Sequence, residues 1–483
     1  METKRLENWA IRISNNSWFP LLALALITVL SAGLRFFRLG EWSFWIDEIY
    51  TINHAQLHFG NLELILNHIP PARNWVPISV ILTAQVVNQL GVSEWSARLV
   101  SAVIGILTIP ILYFPLKKIF GVQVTLIALL LLAVSPWHIF WSQNARFYTL
   151  LMLFYTLALL VVFFGLEQDR PIYFGVFYIL FYLAFSERVI AVVIIPVIAL
   201  YLFILWVLPI EKPRGFKLKN ILILSSPIII FVLYQLVLLI TTGSYIFASD
   251  VAALAPPIDN PIRLLILIVF SMGVPLTMLA FFTGIYLLLR YDRTILFLLI
   301  GAVLPVMLFM IANPFFFVTE RYAFVTLIFW IVLASIGLAV ISSMVRKHAF
   351  ILVLGILFIF LSDAGGENLL YYQINQGNRL DWQGAVSYVQ ESMNEEDVII
   401  STRADLASYY LGKEVVEFTD LLPGDLENTG KHFWFIMDYP GIWHGNPSTK
   451  EWIENNARLE NISYLRVREE NVLLVYHYDP LHY

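Results

Sequence analysis

Cysteine is absent from all 483 residues of the sequence, which excludes disulfide bonds and thiolate metal sites and leaves the redox compartment open. Charged residues are also scarce: they make up 13% of the chain, against about 25% in a typical soluble globular protein. The net charge is −5, and no basic stripe is interleaved with aromatics, which argues against a nucleic-acid-binding protein. Hydrophobic residues, in contrast, reach 59%, and the mean hydropathy is +0.75. This composition is typical of an integral membrane protein.

Long apolar runs occur along most of the chain. A helix needs about 20 apolar residues to cross a bilayer, and eleven runs are candidates, of which the fifth and the last are short. The first run lacks a small-residue cleavage site, so we expect a retained anchor and not a secretory signal. The predicted spans are 19–39, 99–116, 122–140, 147–166, 172–185, 189–208, 221–240, 264–289, 295–311, 322–341 and 349–361.

The charges between these runs predict the orientation of the chain. Positive residues in short loops mark the cytoplasmic side of a membrane. With the N-terminus inside, every lysine before residue 362 falls inside, and the other side carries only isolated arginines. We therefore predict an inner-membrane protein with a cytoplasmic N-terminus and a periplasmic C-terminus. The predicted outer arginines are Arg35, Arg38, Arg73, Arg98, Arg146, Arg188, Arg263 and Arg321.

The sequence predicts two domains. We expect residues 1–361 to form a transmembrane domain, whose external segment 40–98 contains interfacial helices. Residues 362–483 form a small α/β external domain, in which "DWQGAVSYVQESM" and "TKEWIENNARL" predict helices. In the same domain "DVIIST" and "HFWFIMDY" predict strands, and "ISYLRVREENVLLVYHYD" predicts a hairpin. A further external loop at 241–263, with "PPIDNP", resembles a lid.

Two adjacent acids lie in the first external segment, within "SFWIDEIYT". One carboxylate could act as general base on an acceptor hydroxyl, while arginines stabilise a departing phosphate. Arginine suits this second role because its guanidinium group binds phosphate through two parallel hydrogen bonds. The structural alternative is that Asp47 caps a helix N-terminus and Glu48 lies in its first turn, favoured by the helix dipole. The spacing alone leaves both interpretations open.

Three stretches in this order resemble a known family. They are the acidic loop, "VSEWSARLVSAVIGILTIPILYF" and "LLAVSPWHIFWSQNARFYTLLMLF", with "ERYAFVTLIFWIVLASIGLA" and "DWQGAVSYVQ" further on. Together they resemble the family 39 membrane glycosyltransferases of GT-C fold, which include protein O-mannosyltransferases and aminoarabinose transferases. The resemblance covers most of residues 19–390. It implies transfer of a sugar, with inversion, from a polyprenyl-phosphate donor to a hydroxyl on the external face.

The resemblance also implies roles for residues of this sequence. Asp47 matches the expected general base, and Glu48 would support it or help to place the acceptor. The residues implied in binding the donor phosphate are Arg98, Arg146, Arg321 and Tyr322. The partners implied are the lipid-linked donor and an acceptor that is a glycan, a lipid or a protein.

The sequence departs from the family pattern at two places. The usual His–Pro–Pro turn here reads "HIPPARNW", with an isoleucine after His68. A Thr–His pair common after the fifth span is replaced by "SERV", so Glu187 and Arg188 are expected to alter the acceptor contacts. The sugar and the acceptor therefore stay open.

No cofactor is predicted. A phosphate leaving group neutralised by arginine does not require a divalent ion, and the resemblance agrees. His54 and His58 are four residues apart and could share one helix face with Glu48 nearby, but packing at the membrane interface is the preferred explanation of this spacing.

Two other functional classes must be weighed. A lipid or glycan transporter would also have many spans and intramembrane arginines, but it should show inverted repeats with broken helices at corresponding places, and none is apparent. A sensor that used the C-terminal domain as a receptor would need neither Asp47 nor the outer arginines. The sequence favours the enzyme.

Overall fold

The computed structural model describes residues 18–57, 77–242, 260–289, 292–344, 348–419, 421–427, 429–442, 445–464 and 472–480. The chain divides into two compact units. We call the first, formed by residues 1–37, 58–85 and 99–366, the helical unit, and the second, formed by 38–57, 86–98 and 367–483, the sheet unit. Residues 38–57 and 86–98 of the sheet unit include two stretches of the predicted external segment 40–98.

Long apolar helices make up most of the described chain. Because nearly every position in them is hydrophobic, they are typical of segments enclosed by lipid or by other helices. The helices are α1 Phe19–Phe36, α2 Ile46–Leu57, α3 Ile78–Leu90, α4 Glu94–Val134, α5 Pro136–Ser142, α6 Tyr148–Gln168, α7 Ile172–Glu187, α8 Ile194–Val207, α9 Leu218–Thr242, α10 Pro261–Met272, α11 Val274–Leu288, α12 Arg293–Ala312, α13 Leu327–Ser343, α14 His348–Ile359, α15 Gly365–Leu369, α16 Trp382–Ser392, α17 Ala404–Leu411, α18 Tyr439–Ile442 and α19 Pro447–Asn456.

The chain is a multi-span membrane protein. In the described residues, eight helical stretches are long and apolar enough to cross a bilayer, or nine if the bent pair α10–α11 counts as one span. The number of candidate spans is below the eleven predicted from the sequence for two reasons. Helix α4 contains two predicted runs, separated by a kink at Gly121, where φ is 77°. Helix α7 has only 16 residues, which is about 24 Å of helix and short for a bilayer.

Helices α10 and α11 are bent by 102° at Gly273. The residue has φ 97°, a conformation that side chains with a Cβ rarely adopt. A Cβ built there would lie 2.1 Å from a carboxylate oxygen of Asp363, which is part of the π-helical turn Phe360–Ala364. Glycine is favoured at this break, because a residue with a Cβ would be strained in this backbone conformation and would have to displace the Asp363 carboxylate.

The interior of the helical unit is formed around α6 and α13. In the most apolar stretch of α6, 83% of the residues are buried. In the most apolar stretch of Glu320–Ser343, which contains α13, the buried share is 78%. In α9 the buried share is only 6%, and most of its side chains are exposed or half-buried. The enclosed helices α6 and α13 therefore form the core, and the apolar surface of α9 suits contact with lipid.

The sheet unit contains a five-stranded sheet. The strands are β1 Val398–Ser401, β2 Val416–Glu417, β3 Phe433–Asp438, β4 Arg458–Tyr464 and β5 Val472–Tyr478, in the order β2-β1-β3-β5-β4. Strands β1, β2 and β3 are parallel, and β5 pairs antiparallel with both β3 and β4. All six residues of β3 are buried, as expected for a central strand covered on both faces.

The predicted α/β pattern of the C-terminal region is present. Asp381 caps α16 by accepting a hydrogen bond from the Gly384 N–H at 2.8 Å, which explains where this predicted helix begins. The predicted strands, the second helix and the antiparallel β4–β5 pair all form. The sequence analysis missed α17 and the two-residue strand β2, which is too short to carry a periodic pattern. The predicted lid lies mostly outside the described residues.

Candidate active site and lipid-phosphate site

The two acids of the first segment lie at the start of α2 in different environments. Helix α2 begins at Ile46, so Asp47 and Glu48 both belong to its first turn and Asp47 is not the capping residue. Asp47 is half-buried, whereas Glu48 has no exposed surface. Negative charge is favourable in the first turn of a helix, so the location costs little for either acid. Only the burial of Glu48 requires a specific partner.

That partner is Arg98, in the second turn of α4. Its Nε donates to Glu48 Oε1 at 2.8 Å and its Nη2 to Glu48 Oε2 at 2.9 Å, which is the bidentate arrangement. The remaining donors bind backbone oxygens: Nη1 donates to Leu39 at 3.1 Å and Trp42 at 2.9 Å, and Nη2 to Ser43 at 3.0 Å. Because all five guanidinium N–H groups have protein acceptors, Arg98 in this arrangement offers no donor to a phosphate.

A second buried arginine approaches the same acid. Arg379 Nε lies 3.5 Å from Glu48 Oε2, and the guanidinium carbon lies 6.0 Å from the centroid of the Trp42 ring. Burial and then the neighbouring Arg98 lower the pKa of Arg379 from its usual value, while Glu48 and Tyr371 act in the opposite direction. One carboxylate thus serves two guanidinium groups. The cluster fixes the segment before α2 against the polypeptide that follows residue 370.

Tyr410 of α17 makes a further connection within the sheet unit. Its hydroxyl accepts from the Phe44 N–H at 2.6 Å and donates to Glu94 Oε1 at 2.6 Å. Burial, and then the hydrogen bond with Glu94, raise the pKa of Tyr410, so the hydroxyl stays protonated. This residue joins the segment before α2 to the start of α4, and it stabilises the backbone that leads to Asp47.

In the helical unit, the motif "SPWHIFWSQNARF" surrounds the end of α1. Arg35 is fully buried and donates to Ser142 Oγ at 3.2 Å, and its Nη2 lies 2.5 Å from His138 Nδ1. Gln143 donates to the carbonyls of Arg35 at 3.0 Å and Phe37 at 2.8 Å. These carbonyls end the helix and would otherwise lack partners. The motif therefore holds the C-terminus of α1 in place.

Two further arginines share one aromatic ring in the helical unit. The guanidinium carbon of Arg146 lies 5.1 Å, and that of Arg188 5.6 Å, from the ring centroid of Phe147. Arg188 is exposed and Arg146 is half-buried. The ring is at the start of α6, and α7, which ends next to Arg188, packs along α6. Two cations on one ring are suited to an anionic ligand.

The predicted residues Arg321 and Tyr322 lie in the 3-10 turn Glu320–Thr326, which packs against α6. Arg321 is half-buried and its Nε donates to Thr319 Oγ1 at 3.0 Å. Tyr322 is buried against Phe309, at a ring-centroid distance of 6.3 Å. The helical unit therefore carries the two other arginines that were predicted to bind phosphate, Arg146 and Arg321. It also carries Arg188, which was predicted to contact the acceptor.

Glu187 has a structural partner. This buried acid accepts from the backbone N–H of Ser79 at 3.1 Å and from its hydroxyl at 2.5 Å, at the N-terminus of α3. It thus acts as a capping group supplied by another helix. His68 and His58, as well as the Pro70–Pro71 turn, lie outside the described residues, so those predictions stay untested. Among the residues that the structure describes, no three His, Asp or Glu side chains are grouped as a metal site would need.

Comparison with known proteins agrees with this architecture. Residues 75–234 match the family model described as dolichyl-phosphate-mannose-protein mannosyltransferase. The fold is similar to that of ArnT from Cupriavidus metallidurans in the apo state, with a TM-score of 0.60, 13% identity and coverage of 94% of this chain and 97% of that one. The chain has the GT-C fold. The predicted resemblance to the family 39-like membrane glycosyltransferases is confirmed.

Two ligand-bound structures share this GT-C fold. One is ArnT from the same organism bound to undecaprenyl phosphate, with a TM-score of 0.59, 12% identity and coverage of 96% of this chain and 98% of that one. The other is the oligosaccharyltransferase AglB from Archaeoglobus fulgidus with an inhibitory peptide and a dolichol-phosphate, with a TM-score of 0.58, 12% identity and coverage of 96% and 75%. No curated protein matches the sequence.

Sequence reasoning missed several members of these clusters. Arg379 and Tyr371 were not singled out. They lie more than 300 residues from Glu48 in the sequence, so their proximity to this acid leaves no local pattern. His138 and Gln143 were noticed only as part of a motif, and their contacts with α1 depend on tertiary packing. The one available signal was the concentration of polar residues in an apolar surrounding, which marks Arg35 as well.

Proposed function

We propose that this GT-C protein is a glycosyltransferase that moves a sugar from a polyprenyl-phosphate donor to an acceptor hydroxyl on the external face of the membrane, with Asp47 as the general base. The observation that carries the proposal is the contrast at the start of α2. Glu48 is committed to Arg98 and Arg379, whereas its neighbour Asp47 keeps a partly exposed side chain on a firmly held helix. A base must be fixed in place and still reach the proton that it removes.

The reaction is a single displacement. Asp47 takes the proton of the acceptor hydroxyl, whose oxygen attacks the anomeric carbon as the bond to the phosphate oxygen breaks. The configuration inverts, and the polyprenyl phosphate leaves with its electron pair. Guanidinium groups stabilise the charge that develops on the phosphate. We assign this second role to Arg146 and Arg188, with Arg321 as a further candidate, because Arg98 has all its donors engaged by the protein.

Arg98 then has a positioning role. Its contacts with Glu48 and with three backbone carbonyls hold the segment before α2 in one conformation. The donor class is supported by the family match and by the lipid phosphates bound to ArnT and AglB, which share the fold. The external location is supported by the distribution of lysines in the sequence.

The first experiment separates binding from chemistry. Native mass spectrometry of the purified protein should detect a bound polyprenyl-phosphate sugar in the wild type and equally in Asp47→Asn, while Asp47→Asn should lose transfer by at least about a hundredfold, as expected for removal of a general base. Glu391→Gln changes an exposed acid of α16 and is the matched control. Transfer that persists in Asp47→Asn would show that another group is the base.

The second experiment tests the donor side. Replacing either arginine of the Phe147 pair, in Arg146→Gln or Arg188→Gln, should weaken binding of the lipid-linked donor by about tenfold, because each loses a charged hydrogen bond to phosphate. Binding is measured by titration with the polyprenyl-phosphate sugar in nanodiscs. Arg263→Gln, at an exposed arginine of α10, serves as the control. Unchanged affinity in both variants, with a loss in Arg321→Gln, would move the phosphate site to the 3-10 turn.

A further inference from the structure

The sheet unit carries a second polar surface, at the carboxyl ends of its parallel strands. Strand β1 has β2 on one side and β3 on the other, and the connection from β1 to β2 passes through α17. In open α/β sheets, the crevice outside the carboxyl ends of two strands whose connections leave in opposite directions is the usual place for a ligand. Here that crevice lies between Thr402, which follows β1, and Asp438, which ends β3.

Polar side chains at this edge are held in fixed positions. Asp438 Oδ1 accepts from Thr402 Oγ1 at 2.7 Å and from the Gly441 N–H at 3.1 Å. Its other oxygen accepts from Arg403 Nε at 3.1 Å. Arg403 keeps 27% of its side-chain surface exposed while its Nε is anchored in this way. The guanidinium group is therefore ordered before any ligand arrives, which lowers the entropy cost of binding.

The same edge lies beside the helix that carries Asp47. Helix α17 follows Arg403 and packs against α2. The rings of Phe44 and Tyr409 are 5.4 Å apart. On α2, Asp47 and Tyr50 are three residues apart and so share one face of the helix. All these residues belong to the sheet unit.

Tyr50, on this face of α2, is not part of the buried core of the sheet unit. It is a large aromatic side chain, yet 52% of its surface is exposed. Burial, together with the charges of Asp405, Asp47 and Glu417, raises the pKa of its hydroxyl, and Arg403 acts in the opposite direction. Tyr50 thus interacts electrostatically with several carboxylates and with one guanidinium group. Asp405 and Glu417 are exposed as well, and Glu417 is held by the Ala404 N–H at 3.2 Å.

We propose that Tyr50, Arg403, Asp405 and Glu417 form the acceptor subsite next to Asp47, and that the acceptor is a neutral glycan. The proposal rests on the glycosyltransferase function proposed above and names its second substrate. An exposed aromatic ring offers a flat apolar face to the C–H side of a sugar ring, and planar carboxylate and guanidinium groups bind pairs of hydroxyls.

The balance of charge selects against other acceptors. The charges that act on Tyr50 include the carboxylates of Asp405, Asp47 and Glu417 and one guanidinium group, that of Arg403, which is already paired with Asp438. A phosphorylated acceptor would be repelled by this surface. A neutral glycan avoids this repulsion, and its many hydroxyls can both donate to the carboxylates and accept from Arg403. The simpler alternative is a solvated charged surface with no ligand, and the experiment must separate the two.

The test uses the full-length protein in nanodiscs and saturation-transfer difference NMR. The probes are a pool of neutral di- and trisaccharides of hexoses, N-acetylhexosamines and pentoses, a phosphorylated trisaccharide, and a serine-containing hexapeptide. We expect neutral saccharides to bind the wild type and their affinity to fall about tenfold in Tyr50→Ala, which corresponds to about 1.4 kcal/mol. Tyr50→Trp should keep most of the affinity because it keeps the flat ring. Leu422→Ala, at an apolar residue of the same unit that is 53% exposed, is the control and should bind normally.

With a saccharide that binds, transfer kinetics give a second readout. Tyr50→Ala and Asp405→Asn should raise the KM for the acceptor about tenfold and change kcat little, because the ring and the acid hold the acceptor and take no part in proton transfer. The proposal is wrong if no neutral saccharide binds, if the phosphorylated or peptide probe is preferred, or if Tyr50→Ala binds like the wild type. Failure of the proposed function is distinguishable, because the wild type would then also fail to bind the polyprenyl-phosphate sugar.

Discussion

Asp47 and Glu48 are adjacent in the sequence, yet the first turn of α2 gives them opposite surroundings. Successive residues of a helix point about 100° apart, so one acid can face the interior while the other stays accessible. Glu48 forms the bidentate pair with Arg98 and also faces Arg379. The structural alternative weighed for the acidic pair therefore applies to Glu48, and the catalytic interpretation concerns Asp47 alone.

Replacing Glu48 should affect stability first. Glu48→Gln leaves the guanidinium groups of Arg98 and Arg379 buried without their carboxylate, and breaking a buried pair from one side typically costs about 3–5 kcal/mol. We expect a clearly lower unfolding temperature in detergent and loss of activity as a consequence. Asp47→Asn is the matched control and should unfold like the wild type. Equal stability of the two variants would mean that the cluster contributes little to the fold.

The identity of these partners could not be predicted from the sequence. Arg98 was singled out as a phosphate-binding residue, but the contacts that it makes depend on an acid 50 positions away and on backbone carbonyls that converge only in the folded chain. A local motif indicates that an arginine is important without showing what it binds. Tyr50 was overlooked for the same reason, because its exposure is a property of the folded unit.

At the scale of elements, the apolar runs predicted most of the helices because hydrophobicity and length are local properties. Their ends were harder to predict. The run at 122–140 is divided between the end of α4 and the short helix α5, which begins where Ser135 accepts a hydrogen bond from the His138 N–H. The run at 264–289 is divided by the bend at Gly273. Both breaks lie inside apolar sequence, where the hydrophobic pattern carries no boundary signal.

The break at Gly273 gives a prediction about the helical unit. In Gly273→Ala the new methyl group must take up a backbone conformation with positive φ and displace Asp363, so we expect a loss of about 1–3 kcal/mol in unfolding free energy. Gly33→Ala, in α1, is the control: nothing lies within 4 Å of its added Cβ, so it should be neutral or slightly stabilising. Thermal unfolding of the three proteins in the same detergent measures both. A neutral Gly273→Ala would show that the bend can relax.

For the whole molecule, the predicted orientation can be tested directly because the natural chain has no cysteine and gives no background labelling. A cysteine introduced by Glu391→Cys in α16 should react with a membrane-impermeant maleimide in cells with a permeabilised outer membrane. One introduced by Lys219→Cys, near the start of α9, should react only after the inner membrane is opened. Both sites are exposed in the structure. Labelling in the reverse order would invert the topology and place the proposed reaction on the cytoplasmic side.

The sheet unit is assembled from stretches that are far apart in the order of synthesis. Asp47 and Glu48 leave the ribosome early, Arg98 follows, and Arg379 comes only after the helical unit is complete. At about 5–20 residues per second, the acidic pair waits for many seconds before the residues that enclose Glu48 exist. A nascent chain therefore has every spanning segment in the membrane before its proposed base is fixed in position. Catalytic competence is expected to appear only in finished chains, so that truncated translation products occupy the membrane without consuming donor.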